Sequence, residues 1–174
     1  MKDLAYNAMI FAREAHARQV RKYTGNPYAD HLAEVAGIVA TVSSAFGRDA
    51  GEIMTAVAWL HDYIEDVNPD DGGNWGWYEL EQKFGQTVAD NVRLLSDLET
   101  GNRAERKELS RIRLAAAPGW VQTIKCADLI SNTSSIVKHD PKFALTYLGE
   151  KRLLLGVLAH ADRRLLDLAR EQVA

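Results

Sequence analysis

Ile53-Met54-Thr55-Ala56-Val57-Ala58-Trp59-Leu60-His61-Asp62-Tyr63-Ile64-Glu65-Asp66 decides how this chain reads. Ile53, Ala56, Val57 and Leu60 recur at the i, i+3/i+4, i+7 spacing of an apolar helix face, so the stretch predicts a core-facing helix. The helix ends in an abrupt run of polar groups. Positions four apart share a face, which stacks His61 over Glu65 and Asp62 over Asp66. Four ionisable groups at the end of a buried helix are costly to desolvate without a partner. A divalent cation is the simplest partner: imidazole and carboxylate together suit Zn, Mn or Fe, and a carboxylate left off the metal can act on water. The competing reading is a solvated acidic helix end, although negative charge there opposes the helix dipole.

Working outward, the same helical periodicity recurs along the chain, and alternating β-branched runs are scarce, so an all-α fold is expected. A first helix is predicted over about Leu4–Gln19, followed by a polar loop from Arg21 to Tyr28 with Gly25 and Pro27. Asp30 is read as the cap of a second helix carrying His31, Val35, Ile38 and Val42, and Asp49 with Glu52 as the capping box of the third. Asn68 to Asn74 reads as a turn-rich break. A short helix through Trp77, Leu80 and Phe84 is ended by Gly85, and the next carries Val88, Val92 and Leu95. Further helices are predicted over about Arg103–Ala116, from Pro118 through the apolar run Val121–Ile130, and from Asp140-Pro141 in one long stretch to about Ala169.

The 174 residues predict one domain spanning 1–174, with no repeat or linker. Lys plus Arg number 21 against 24 Asp plus Glu, a net charge of −3, so the chain as a whole does not attract nucleic acid. No apolar run approaches a membrane span and no leader pattern opens the chain; with a single cysteine, Cys126, a cytoplasmic location is expected. Cys126 itself reads as a small buried hydrophobe.

Two further clusters bear on the motif. His31 stands alone at a helix start, where a surface or capping role competes with an inward one. Asp128 lies within the apolar run, where an unpaired carboxylate is expensive, so it either pairs with Lys125 or an arginine or serves a site. Asn132 lies one turn beyond it. Helical bundles can converge such groups in their cores. The order His31, His61-Asp62, Asp128 resembles the HD-domain superfamily of metal-dependent phosphohydrolases.

Further blocks resemble the hydrolase domain of the RelA/SpoT family, particularly its small stand-alone alarmone hydrolases. They are Ala15-His16, Gln19, Arg21-Lys22 and Gly25-Asn26-Pro27-Tyr28; the His61–Asp66 hexapeptide; Phe84-Gly85 with Val88-Ala89; and Ile124-Lys125-Cys126-Ala127-Asp128 with Asn132. They occur in family order over about 15–135, leaving a C-terminal scaffold helix over about 140–169. The resemblance implies hydrolysis of the 3′-pyrophosphate of guanosine 3′,5′-bis(diphosphate) or the pentaphosphate, releasing pyrophosphate and GDP or GTP. It implies His31, His61, Asp62 and Asp128 as ligands of a divalent metal, usually manganese, and Glu65 and Asp66 as the catalytic pair that handles water. It further implies Arg21 stacked on guanine, Lys22 near the base, and Asn132 and Ser135 at the ribose and phosphates.

The chain departs from the family pattern at Leu32, where proline is common, at Leu129, where an arginine is usual, and at Ser96-Asp97-Leu98-Glu99, where a Thr-Lys pair is frequent. The segment Arg103, Arg106, Lys107, Arg111 and Arg113 is read as a solvated helix face from which one or two residues approach phosphates. Trp75 and Trp77 line the pocket or fill core. His16 reads as structural, and the final helix as a packing or homo-oligomer surface. The synthetase half of the long RelA/SpoT enzymes is expected to be absent. The alternatives are a nucleotidase or phosphatase on another nucleotide, such as a deoxynucleotide or NADPH, and a nucleotide-binding module without turnover.

Overall fold

The computed structural model describes residues 3–67 and 72–174, so most of the predicted 68–74 break lies outside the described residues. As the periodicity predicts, every regular element among the described residues is a helix, with one isolated antiparallel bridge between Val20 and Pro27. The chain divides into two compact units, residues 1–98 and 99–174.

The first unit is built around the motif helix. Helices α1 (Leu4–Ala15), α2 (Tyr28–Ser43) and α3 (Arg48–Leu60) are followed by the single turn α4 (Tyr63–Asp66), then α5 (Asn74–Phe84) and α6 (Gln86–Leu95). α3 packs against α1, α2 and α6. Met54, Ala56, Val57, Ala58 and Leu60 of α3 are all fully buried, which is wider than one stripe because neighbours cover several sides. Burying large side chains such as Leu60 contributes about 1.5–3 kcal/mol each. α1 contributes Leu4, Ala8 and Ala12 at successive turns, and α2 contributes Leu32, Val35, Val39 and Val42.

Three predicted boundaries move. α1 stops at Ala15 because residues 16–28 form a closed loop: Arg21 N–H donates to the Asn26 carbonyl (2.8 Å) and Tyr28 N–H to that of Gln19 (2.9 Å). Asp30 does not cap α2, which begins at Tyr28 behind Pro27 and leaves Asp30 in the first turn. The expected Asp49–Glu52 capping box is not formed either. Gly47 precedes α3 without a side-chain cap, and Glu52 Oε1 instead accepts from the Leu4 backbone N–H at 2.7 Å, tying α3 to the start of α1. Gly47 (φ 85°, ψ 164°) and Gly85 (φ 85°, ψ 160°) each end one helix and begin the next in backbone conformations that L-residues rarely adopt.

The second unit contains α7 (Arg103–Ala115), α8 (Gly119–His139), α9 (Pro141–Val157) and α10 (Arg163–Gln172). α8 is buried continuously from Val121 to Ser131 and packs against α9 and α10. Asn102 and Glu105 form a reciprocal capping box for α7, and Asp140 caps α9 by accepting from Phe143 N–H. The single long C-terminal helix is therefore two. It breaks where α8 captures the connecting backbone: His160 N–H donates to Gln122 Oε1 (2.9 Å) and Asp162 N–H to Thr123 Oγ1 (2.8 Å). Asp162 then caps α10. Cys126 is fully buried, and desolvation pushes its thiol up to about 12, in keeping with a small hydrophobe. No helix among the described residues is long and apolar enough to cross a membrane.

Candidate active site

In the first unit the closed 16–28 loop delivers Tyr28 and, one turn into α2, His31 toward the end of α3. His61 is the residue after α3, and Asp62 follows it in the turn before α4. His31 and His61 are buried, their ring centroids 5.3 Å apart. Both Nε2 atoms face one oxygen: His61 Nε2 lies 3.0 Å and His31 Nε2 3.5 Å from Asp62 Oδ2. Tyr28 donates its hydroxyl to the same oxygen at 2.7 Å.

The other nitrogen of His61 gives this arrangement its meaning. Its Nδ1 lies 2.8 Å from the Ala58 carbonyl, which can only accept, so Nδ1 carries the hydrogen. In the neutral ring Nε2 then directs a lone pair at a carboxylate oxygen. Two lone pairs at 3.0 Å repel unless a cation stands between them, either a proton on Nε2 or a metal ion. A backbone carbonyl on the far nitrogen is the usual way that a metal-binding histidine is oriented. Burial pushes the Asp62 carboxyl up, but charge and hydrogen bonding from His61 and His31 outweigh it and hold the group well below the usual carboxylate range. The donor set fits a divalent metal of borderline character.

Glu65 and Asp66 sit on α4 and are held by different partners. Glu65 Oε2 accepts from the Asp97 backbone N–H at 2.9 Å, and Asp66 Oδ2 accepts from Gln19 Nε2 at 2.8 Å. The 96–99 segment therefore reaches the motif through its main chain. Partial burial, and then the Asp62 charge, raise the Asp66 carboxyl above its ordinary range, against the hydrogen bond from Gln19. Tyr63 donates to Glu79, which anchors α4 on α5.

In the second unit Asp128 lies on α8, 6% exposed. Its Oδ1 accepts from Asn132 Nδ2 at 2.6 Å and its Oδ2 pairs with Lys125 Nζ at 2.9 Å, so the pairing with Lys125 foreseen from spacing is present. Asn132 is engaged with Asp128, and the half-buried Ser135 offers its carbonyl to His139. In the loop of the first unit Arg21 is half-buried, while Lys22 is exposed with its ammonium over the Tyr23 ring.

Much of the remaining charge is engaged in ion pairs within its own unit. Arg103 makes a two-pronged contact to Glu150 at 2.6 and 2.8 Å, Arg113 pairs with Glu99 at 2.7 Å, and Arg111 pairs with Glu108. The Arg103–Arg113 segment thus behaves largely as a solvated, internally neutralised face. Trp77 bonds Asp90 through its indole nitrogen, and Trp75 is 59% exposed, so Trp75 does not fill core. Residues 16, 19 and 28 were visible only as members of a motif block. Gln19 bonds Asp66, Tyr28 bonds Asp62 and His16 bonds Gln19, joining the end of α1 and the loop to the motif, and no local periodicity signals such contacts.

Residues 8–137 match the family model described as HD domain. The chain is 31% identical over 143 residues to the guanosine-3′,5′-bis(diphosphate) 3′-pyrophosphohydrolase MESH1 of Xenopus tropicalis, covering 80% of this chain and 73% of that protein. It is also 31% identical over 165 residues to a probable guanosine-3′,5′-bis(diphosphate) 3′-pyrophosphohydrolase of Synechocystis, covering 90% of this chain but only 20% of that longer protein. Among solved structures, a metazoan ortholog of SpoT described as hydrolyzing ppGpp matches with a TM-score of 0.82 at 22% identity, covering 99% of this chain and 94% of the other. That likeness establishes the fold.

Proposed function

Since the chain belongs to the HD-domain family, we propose that it is a metal-dependent phosphohydrolase that removes the 3′-pyrophosphate of guanosine 3′,5′-bis(diphosphate) or the pentaphosphate. The observation that carries the metal-dependent part is the His61 ring, whose Nδ1 is committed to Ala58 and whose Nε2 is aimed with that of His31 at Asp62. The guanosine substrate is supported by the names of the relatives and by the family-order blocks around Arg21-Lys22 and Glu65-Asp66. His31, His61 and Asp62 are the proposed ligands, with Asp128 as the fourth by the family pattern, and manganese is the proposed metal.

When bound there, a divalent ion supplies Lewis acidity toward phosphoryl oxygens and toward the attacking water. The chain's own groups do the rest. His61 is held in the required tautomer by Ala58, and Tyr28 orients Asp62 by donating to Oδ2. Glu65, steadied by the Asp97 N–H, is the proposed acceptor of the proton that water loses as its oxygen bonds to phosphorus. The bond from that phosphorus to the ribose 3′-oxygen breaks and that oxygen takes up a proton, returned by Glu65 or supplied by solvent, releasing pyrophosphate and GDP or GTP. Asp66, whose carboxyl is raised, is proposed to orient the water beside Glu65. Arg21 and Lys22 are proposed at the base, and Asn132 and Ser135 at the ribose and phosphates.

Turnover assays with manganese against guanosine tetraphosphate, ordinary deoxynucleotides and NADPH test the reading. Pyrophosphate release from the first alone is expected. Turnover of another nucleotide in its place moves the substrate assignment, and binding without product from any of them removes the enzyme assignment.

A further inference from the structure

His16 ends α1 fully shielded from solvent, its ring stacked on Tyr28 with centroids 5.3 Å apart and planes 19° from parallel. Its Nδ1 lies 2.5 Å from Gln19 Oε1, and Gln19 Nε2 donates to Asp66 Oδ2 at 2.8 Å. Packing alone does not explain this chain of contacts. We propose that His16 and Gln19 form a positioning relay for Asp66, in which the His16 Nδ1–H fixes the Gln19 amide so that its NH2 group holds the carboxylate. The proposal rests on the role assigned to Asp66 above.

The argument is one of donors and acceptors. An ionised carboxylate only accepts, so the Gln19 nitrogen must face Asp66 and its oxygen must face His16. An amide turned over would set oxygen against the Asp66 carboxylate. The two ends of an amide are nearly identical in shape, so sterics cannot choose between these orientations; the two partners do, Asp66 by accepting at one end and the His16 Nδ1–H by donating at the other. The histidine is itself constrained: among the described residues its Nε2 is buried with no hydrogen-bond partner, so a hydrogen there would go unsatisfied while one on Nδ1 meets Oε1. Phenylalanine would keep the stacking on Tyr28 but lose the donor. Asparagine would keep a donor near the Nδ1 position but lose the stacking.

That contrast gives the test. In the full chain, kcat and KM for guanosine tetraphosphate are measured for His16→Phe, His16→Asn, Gln19→Leu and the double variant His16→Phe/Gln19→Leu. Long-range proton–nitrogen correlation spectra report the His16 tautomer in the metal-free wild type. His16→Phe and Gln19→Leu are each expected to lower kcat about 10- to 100-fold with KM nearly unchanged, the scale seen for residues that orient a site from behind. His16→Asn should recover most of the loss, and the double variant should be no worse than the worse single one. The spectrum should show the Nδ1–H form. An Nε2–H tautomer, an Asn variant slower than the Phe variant, or a Gln19→Leu enzyme with ordinary kcat overturns the relay. If the wild type turns over no guanosine polyphosphate, the functional reading fails by itself, and the tautomer alone then decides the relay.

Discussion

Asp62 gathers three groups around one carboxylate oxygen: the Tyr28 hydroxyl, which donates to it, and the Nε2 atoms of two buried imidazoles. Asp62→Ala therefore removes a proposed ligand and the group that aligns the others, and is expected to abolish manganese binding by calorimetry together with turnover. Glu65→Gln should part these readouts, retaining metal while slowing turnover by about 10²- to 10⁴-fold, the usual contribution of a general base; ordinary turnover would remove Glu65 from that role. Asp66 makes a pH-dependent prediction. Its folded carboxyl sits above the ordinary value of 3.8, so ionisation opposes folding, by nothing while both states are protonated and increasingly once the pH passes 3.8. Asp66→Asn should accordingly raise the thermal midpoint of the metal-free protein at neutral pH, and the gain should vanish below 3.8. His61, Asp62, Glu65 and Asp66 were legible in the sequence because adjacent ionisable letters at a helix end are conspicuous. The Asp97 N–H that holds Glu65 was not, since every residue except proline carries that donor and no letter marks it.

For the helices, sequence signals succeeded where the cap was local and failed where a distant group intervened. Asp140-Pro141 opens α9 as read, because cap and first turn are neighbours in sequence. Glu52 was drawn away from its expected local cap by the Leu4 N–H forty-eight residues earlier, and the α9–α10 break follows from Gln122 and Thr123 on α8. The basic helix α7 carries a related lesson. Arg103 and Glu150 join α7 to α9 with Arg103 also over the Phe143 ring, and all three lie in one unit. The Arg103 side chain is 45% exposed, so Arg103→Ala is expected to cost about 1 kcal/mol in chemical denaturation. KM for the nucleotide should stay unchanged. A several-fold rise in KM would instead assign this arginine to substrate phosphates.

At the scale of the molecule, the proposed site is expected to couple metal binding to folding. Buried imidazoles set against a carboxylate are tolerable only with positive charge between them, so a metal that binds the folded chain alone stabilises it by mass action. Manganese at about a hundred times its dissociation constant is expected to add about 2.7 kcal/mol, or roughly 5–10 °C in midpoint for a chain of this size. A chelator should reverse the shift, and Asp62→Ala should show none; an unchanged midpoint in the wild type would argue against a structural coupling. The all-α class and the order of the motif helices were legible at this scale because helical periodicity is carried by every turn.

Gly47 and Gly85 carry one last consequence, and it concerns handedness. Both hold φ near +85° with ψ near 160°, and a Cβ atom placed on either in the L position meets nothing within 4 Å. What excludes alanine there is mirror symmetry, since reflecting those angles gives ordinary extended backbone. A D-alanine placed at Gly85 by chemical ligation should therefore meet no backbone strain and is expected to stabilise the chain by about 0.4–1 kcal/mol through a less disordered unfolded state. The L-enantiomer should destabilise it, so at these two joints backbone handedness, and not a clash with the added carbon, selects glycine.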